Sequence, residues 1–508
     1  MDATALLAAL PSRISAIARQ RAASSPDAPA LHEDGRLWTY AQLGLEVDAN
    51  LALLRQLGVR AGDRVMVVGE NCVAQVALIF AAAELDAWIV NVNARLSSAE
   101  IAAIRAHSGA RRVLYTVAAS PEARQHAASD GAQTHGALMA GPLNDECSPE
   151  PVDPSNEQVA ALIYTTGTTG NPKGVMLTHR NLLFIAAVSS TLRGLGPQDR
   201  AYGVLPISHV YGLASVMLGT LYAGACLYLA PRFSAATLLR AIADDNLTIL
   251  QGVPAMYARL LELTGAPLAS TLRFIYAGGS PLDPSLKRQV EQVFGLPLHN
   301  GYGMTESSPT ISQTRLDAPR ADTSVGSAIP GVDVRIVDEM GIDVAPGEAG
   351  ELWVRGPNVM KGYYREAALT AAAMRAGGWL NTGDMARQDA GGALFIVGRT
   401  KELIIRSGFN VYPLEVETVL NAHPGVAQSA VVGRLVAGGN EEVVAFVEAD
   451  PQHAPSEEEL RDYLAERLSP YKCPSQIVIV AALPAAATGK ILKGQLKALA
   501  QDMPAKKS

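Results

Sequence analysis

The feature that most restricts this chain is a repeated alternation of short apolar runs with helical patterns. Residues 64–69 (RVMVVG), 88–92 and 112–116 read as buried strands. Between them, residues 71–85 and 97–107 have helical spacing, the second with Ser98 and Glu100 near its start. The pattern returns at residues 160–164, 226–230, 235–243, 248–253, 254–263, 272–277 and 282–294. Such alternation predicts an α/β protein with a large N-terminal domain of parallel, helix-covered sheets. Residues 118–154 are rich in Ala, Gly and Ser and read as a peripheral excursion.

After about Val325 the style changes. Residues 332–338, 350–355 and 393–397 are short strands set between Gly, Pro and acidic turns, which predicts a small, mainly antiparallel β subdomain. Gly398 to Lys401 breaks that pattern. Beyond it, mixed helix and strand at residues 414–421, 429–433, 443–448, 457–468 and 476–480 predicts a small mobile α+β domain. The division expected is 1–398 and 399–508, with a hinge near Lys401.

Composition narrows the function class. A chain of 508 residues exceeds one ordinary core. A net charge of −7 gives no global basic field, so no nucleic-acid partner is expected. The four cysteines, Cys72, Cys147, Cys226 and Cys473, form no CxxC pair and suggest neither a disulfide framework nor a zinc site. The apolar stretch from Val73 to Ala83 ends at Glu84, too short to span a bilayer, so no stable membrane insertion is expected. The first 22 residues read as a surface helix packing its Leu and Ile face, with an organellar address or membrane-surface contact as alternatives. A cytoplasmic location fits this set, and a homodimer is compatible with it.

The chemistry begins at residues 161–174, ALIYTTGTTGNPKG. A buried strand runs into a Thr- and Gly-dominated stretch with one lysine. Glycines turn backbone N–H groups inward, hydroxyls add donors, and together they can surround phosphate oxygens. Lys173 supplies a charge for the distal phosphates. The NTPase P-loop does not fit, because Pro172 precedes the lysine and Gly174 follows it. Residues 300–306, NGYGMTE, read as a Gly-rich turn presenting a ring, a hydroxyl and a carboxylate, or as a helix N-cap at Thr305. NTGD at 381–384, GRTKELI at 398–404 and TGKI at 488–491 follow.

In this order the motifs resemble those of the adenylate-forming superfamily, which includes acyl-CoA synthetases, peptide-synthetase adenylation domains and luciferases. The resemblance is to bacterial carboxylate–CoA ligases most of all, and spans about Tyr40 to Lys497. It implies that Thr165, Thr166, Gly167, Thr168, Thr169, Gly170 and Lys173 hold ATP phosphates. It implies that Tyr302 and Gly303 cover adenine, Thr305 contacts the α-phosphate, and Glu306 with Thr166 holds Mg²⁺. Asp384 and Arg399 would take the ribose. Lys490 would attend the acyl carboxylate and α-phosphate, where losing such a donor costs on the order of 3 kcal/mol. His209 would flank the acyl carboxylate.

The acyl pocket implied by the resemblance is formed by His209, Val210, Tyr211, Ala277, Gly278, Gly279, Met304 and Pro309. These are small or apolar and include no cation, which disfavours dicarboxylates and favours an aromatic or medium-chain monocarboxylic acid. Arg259 is the one residue that weakens this exclusion. The acceptor expected is coenzyme A, lined by Ser407, Gly408, Phe409 and Lys472. Two departures from the family pattern bear on the CoA nucleotide: Cys473 stands where a second basic residue is expected, and residues 434–442 lack a Trp-Gly pair. A separate carrier-protein thiol, a malonate-type dicarboxylate, and a catalytically silent nucleotide-binding protein are the alternatives.

Overall fold

The computed structural model describes residues 2–166, 172–264, 267–406, 409–436, 440–450, 453–485 and 491–503. Its architecture is α/β, with two large sheets, a small antiparallel sheet and a C-terminal α+β region.

One large sheet has eight strands. At its centre Arg64–Gly69 lies between Trp88–Asn93 and Arg112–Tyr115, all parallel. The other has nine strands, with Arg200–Gly203, Ile249–Gly252, Phe274–Ala277 and Leu298–Gly303 parallel in its middle. Both sheets turn antiparallel at both edges, and at one edge of each the turn falls on a motif. Val159–Thr166 pairs parallel with Trp88–Asn93 but antiparallel with Pro172–Thr178. Leu298–Gly303 pairs parallel with Phe274–Ala277 but antiparallel with Thr310–Gln313.

The helix Val73–Glu84 explains its own sequence. Ten of its residues, Val73 and Gln75 through Ala83, are buried. A helix covered all round carries no polar face, and this one is far shorter than a membrane span. Among the described residues, no helix is long and apolar enough to cross a membrane.

Two local expectations change. Residues 118–154 contain the helix Pro121–Ser129, capped by Ser120, and strands Gln133–His135 and Leu138–Ala140 that extend the eight-stranded sheet. Strands of three residues are too short for alternation to show. The N-terminal segment is two helices, Ala3–Ala9 and Ala16–Ser24, interrupted around Pro11, and Ile14 and Ile17 are buried. NTGD is part of a long strand, Trp379–Gln388.

The small sheet joins Asp333–Val337, Gly350–Arg355 and Trp379–Gln388 antiparallel, and Leu394–Arg399 pairs with the last. After the 3₁₀ turn Thr400–Glu402 the chain builds a three-stranded sheet, Val426–Leu435, Glu441–Ala449 and Gln476–Val480. Helices Pro413–Asn421, Glu457–Ala465 and Lys493–Asp502 accompany it. Its apolar residues form their own clusters, one around Val416, Val431 and Leu460 and another around Phe446 and Leu496.

Candidate active site

The phosphate motif begins on one strand and ends on its antiparallel partner. Tyr164 pairs with Gly174, Thr165 with Lys173 and Thr166 with Pro172. The Thr- and Gly-dominated stretch 165–174 is thus strand at both its ends. Gly167, Thr168, Thr169 and Gly170 lie outside the described residues. Gly174 is required by its neighbour, because a Cβ there would meet the Tyr164 ring at 3.1 Å. The Tyr164 hydroxyl is itself 2.8 Å from His107 Nδ1.

A short strand, Gly362–Tyr363, pairs with Pro172–Thr178 and sets Tyr363 opposite Val175. The Lys173 ammonium stands 5.8 Å from the Tyr363 ring centroid. The Tyr363 hydroxyl donates to Glu306 Oε1 at 2.8 Å. Burial pushes the Tyr363 phenol up, and the charge of Glu306 adds to the rise. Tyr363 therefore links the phosphate lysine to the carboxylate expected to serve the metal. Sequence reasoning missed it; the only signal was an aromatic pair, Tyr363-Tyr364, after Gly362.

Glu306 belongs to the 3₁₀ turn Thr305–Ser307, which buries Thr305. Its backbone carbonyl accepts from Met360 N at 2.9 Å. Among the described residues, no cluster of three or more His, Cys, Asp or Glu side chains could hold a metal ion. A single carboxylate on the phosphate side suits Mg²⁺, which binds through one or two carboxylates and substrate phosphates rather than an all-protein cage.

The residues expected at the ribose meet across two strands. Asp384 lies opposite Arg399, with Arg399 Nε 3.2 Å from the Asp384 carboxylate. The Tyr302 hydroxyl donates to the same carboxylate. Burial, then the charge of Asp384, hold the Tyr302 phenol well above its ordinary value. Beside Tyr302, a Cβ at Gly303 would collide with the Pro309 carbonyl.

His209 is exposed and precedes the buried π-helical turn Tyr211–Leu218. Tyr211 N donates to His209 Nδ1 at 3.3 Å, which places the neutral ring's proton on Nε2. Val210, Tyr211 and Ala277 are buried. A Cβ on Gly278 would stand 3.2 Å from the Tyr276 ring and 3.4 Å from the Tyr211 ring, so these two aromatics define that wall. Gly279 has φ +83°, a value glycine adopts freely. Met304 and Pro309 flank the turn that carries Thr305.

Arg259 is 69% exposed at its side chain and pairs with Glu262 at 3.0 Å, on the solvent face of helix Pro254–Leu261. A cation does lie behind the wall, however: Arg193, with 0% exposure, packs over Tyr276. The expected lining itself holds no cation; Arg193 stands behind it, against Tyr276. Arg193 escaped the sequence reading because it stands 16 residues before His209, in no motif.

In the C-terminal region, exposed Phe409 stacks on Tyr471 at 4.7 Å. The Lys472 ammonium pairs with Glu415 at 2.5 Å, so any CoA contact competes with that carboxylate. Burial raises the Cys473 thiol, which disfavours it as a nucleophile. Lys401 is exposed in the turn Thr400–Glu402. Ser407, Gly408 and Lys490 lie outside the described residues, as does the side chain of Thr166.

Comparisons with known proteins agree with this arrangement. Residues 18–364 match the model of the AMP-binding enzyme family, and residues 415–490 match that of the AMP-binding enzyme C-terminal domain. A feruloyl-CoA synthase from Amycolatopsis sp is 36% identical over 489 residues, covering 94% of this chain and 97% of that relative. A 4-coumarate–CoA ligase from Oryza sativa subsp. japonica is 34% identical over 524 residues, covering 94% and 90%. The structure of o-succinylbenzoate CoA synthetase from Bacillus subtilis, in complex with its acyl-adenylate intermediate, aligns with a TM-score of 0.83. It is 30% identical, with coverage of 97% of this chain and 99% of that one.

The chain belongs to the AMP-binding enzyme family. Its reaction is that of an AMP-forming carboxylate–CoA ligase, with ATP, Mg²⁺ and CoA.

Proposed function

We propose that the acid this ligase activates is an aromatic carboxylic acid, and that the residues described above carry the roles assigned from the sequence. The observation that carries the assignment is the convergence of Lys173, Tyr363 and Glu306 on one side and Tyr302, Asp384 and Arg399 on the other. The first group suits phosphates and their metal; the second suits a nucleoside. His209, Gly278 and Gly279 supply the acyl wall. The feruloyl, coumarate and succinylbenzoate ligases among the relatives support an aromatic acid over a medium alkyl chain.

In the first half-reaction a carboxylate oxygen attacks the α-phosphorus, and the bond to the β-phosphate breaks to release pyrophosphate. Lys173 holds the departing phosphates. Glu306 would hold Mg²⁺, which neutralises phosphate charge as it builds. Lys490 steadies the attacking carboxylate. Asp384 accepts from the ribose hydroxyls. In the second half, the thiol of CoA attacks the acyl carbon and AMP leaves. We assign residues 1–398 to the adenylation domain and 399–508 to a mobile domain that turns at Lys401 between the halves.

Pyrophosphate release across benzoates, cinnamates, alkanoates and malonate, with and without CoA, tests the substrate class. Aromatic acids should give the highest kcat/KM, and release from alkanoates alone would overturn the reading. In parallel, Lys490→Ala should abolish adenylation yet largely spare thioester formation from preformed acyl-AMP; equal loss of both would sink the two-conformation assignment.

A further inference from the structure

Arg193 is a fully buried guanidinium for which no carboxylate partner is found among the described residues. Its Nη1 donates to Gln251 Oε1 at 2.5 Å and to Ser215 O at 3.4 Å. Among the described residues its Nε and Nη2 make no hydrogen bond, and its charge opposes the rise that burial gives the Tyr276 phenol. Those two nitrogens form the side-on edge of the guanidinium, which matches a carboxylate bidentately. Elsewhere in this structure the same edge is filled that way. Arg232 uses Nε and Nη2 on Glu70 at 3.0 and 2.9 Å, and Arg320 uses them on Asp322 at 2.9 and 2.6 Å.

A buried charge with its best edge empty is unfavourable unless something pays for it on binding. The elements around Arg193 say where that occupant comes from. Ser215 is on the π-helical turn that begins two residues after His209. Gln251 lies near the end of strand Ile249–Gly252, and Tyr276 near the end of the strand that leads into Gly278 and Gly279. The guanidinium carbon is 4.6 Å from the Tyr276 ring centroid, and Tyr276 meets Tyr211 edge-on at 6.3 Å. The two rings are the wall that touches Gly278. The Tyr211 hydroxyl and Gln251 Nε2, both buried, also lack partners among the described residues, so three groups offer unused donors at one wall.

We propose that Arg193 is a specificity-determining residue, whose Nε/Nη2 edge receives a second carboxylate at the far end of a ring-spaced, aromatic dicarboxylic acid. The inference rests on the aromatic-acid reading above. The reacting carboxylate lies by His209, the ring beside Gly278, and the distal carboxylate on Arg193, with the Tyr211 hydroxyl as a further donor. Malonate has no ring to reach from one end to the other. The cation missing from the sequence-level pocket is thus supplied from the C-terminal end of helix His179–Leu192.

The test is pyrophosphate release by the full-length enzyme with aryl acids that differ only at the far ring position: hydrogen, hydroxyl or carboxylate. The wild type should prefer the carboxylate by at least tenfold in kcat/KM, mainly through KM. Arg193→Met should reduce that preference at least tenfold, and Arg193→Lys should restore part of it. Preference for the hydroxyl, no preference, or equal loss on all three acids in Arg193→Met with ATP KM retained would overturn the proposal. Because the wild-type comparison stands alone, a variant that fails to fold leaves the question decided. Absence of turnover with every aromatic acid would instead refute the substrate reading itself.

Discussion

The Tyr363 hydroxyl donates to the Glu306 carboxylate at 2.8 Å, while the Tyr363 ring faces Lys173. The bond fixes the orientation of the carboxylate that we propose holds Mg²⁺. Hydrogen bonds to charged groups contribute about 1.5–3 kcal/mol. Tyr363→Phe should therefore lower kcat/KM for ATP roughly tenfold or more and raise the Mg²⁺ concentration giving half-maximal pyrophosphate release. An unchanged Mg²⁺ titration would show that Glu306 needs no such support.

Lys493 bridges two carboxylates, Glu402 at 2.9 Å and Glu417 at 2.8 Å. Burial raises the Glu417 carboxyl, against the pull of Lys493. Removing the lysine leaves Glu417 buried and unpaired by charge, a loss of about 3–5 kcal/mol for a buried pair. Lys493→Met should lower the urea midpoint of the C-terminal region by the corresponding amount. Equal midpoints for variant and wild type, followed by the circular dichroism of that region, would contradict the bridge.

The Arg259–Glu262 pair lies on an exposed helix face. Such pairs contribute about 0–1 kcal/mol. Arg259→Ala should change stability within that range and leave the ratio of kcat/KM between mono- and dicarboxylates as in wild type. A collapse of that ratio would move the distal charge from Arg193 to Arg259.

His179 and His299 are buried, and desolvation pushes their pKa values down to about 3 and about 4. His179 Nδ1 accepts from Ile14 N at 3.2 Å, a bond that the neutral ring can make. Below about pH 6.5 the unfolded chain takes up protons that these folded sites refuse. Their contribution is thus complete above pH 6.5 and is lost as pH falls towards 4 and then 3. Each should remove about 1.4 kcal/mol per pH unit within its window. His179→Gln should flatten the unfolding free energy between pH 6 and 5 by about that slope; parallel curves would point to other groups.

The sequence made the strands and helices of the two large sheets readable where the period ran for four residues or more, as at Arg64–Gly69 and Pro284–Phe294. It also made Lys173, Glu306, Asp384 and Arg399 readable, because each sits in a contiguous motif. What it could not show depends on pairing between distant segments. The two antiparallel strand pairings at the site, Tyr363 opposite Val175 and Asp384 opposite Arg399, are set by register and not by local composition. Arg193 was invisible for the same reason: its partners, Ser215, Gln251 and Tyr276, come from three other elements. A buried cation also runs against the expectation that arginine belongs at the surface.

The hinge we propose at Lys401 leaves the chain a narrow pivot. Arg399 is fixed to the large body by its place opposite Asp384. Glu402 is fixed to the C-terminal region through Lys493. Only Thr400 and Lys401 lie between these two anchors, and each has two soft torsions. Backbone torsions sit in a few separate wells, not along a continuum. Any reorientation across this point is therefore a jump between discrete poses, like a latch with set stops, and the choice of pose is written in the torsions of two residues.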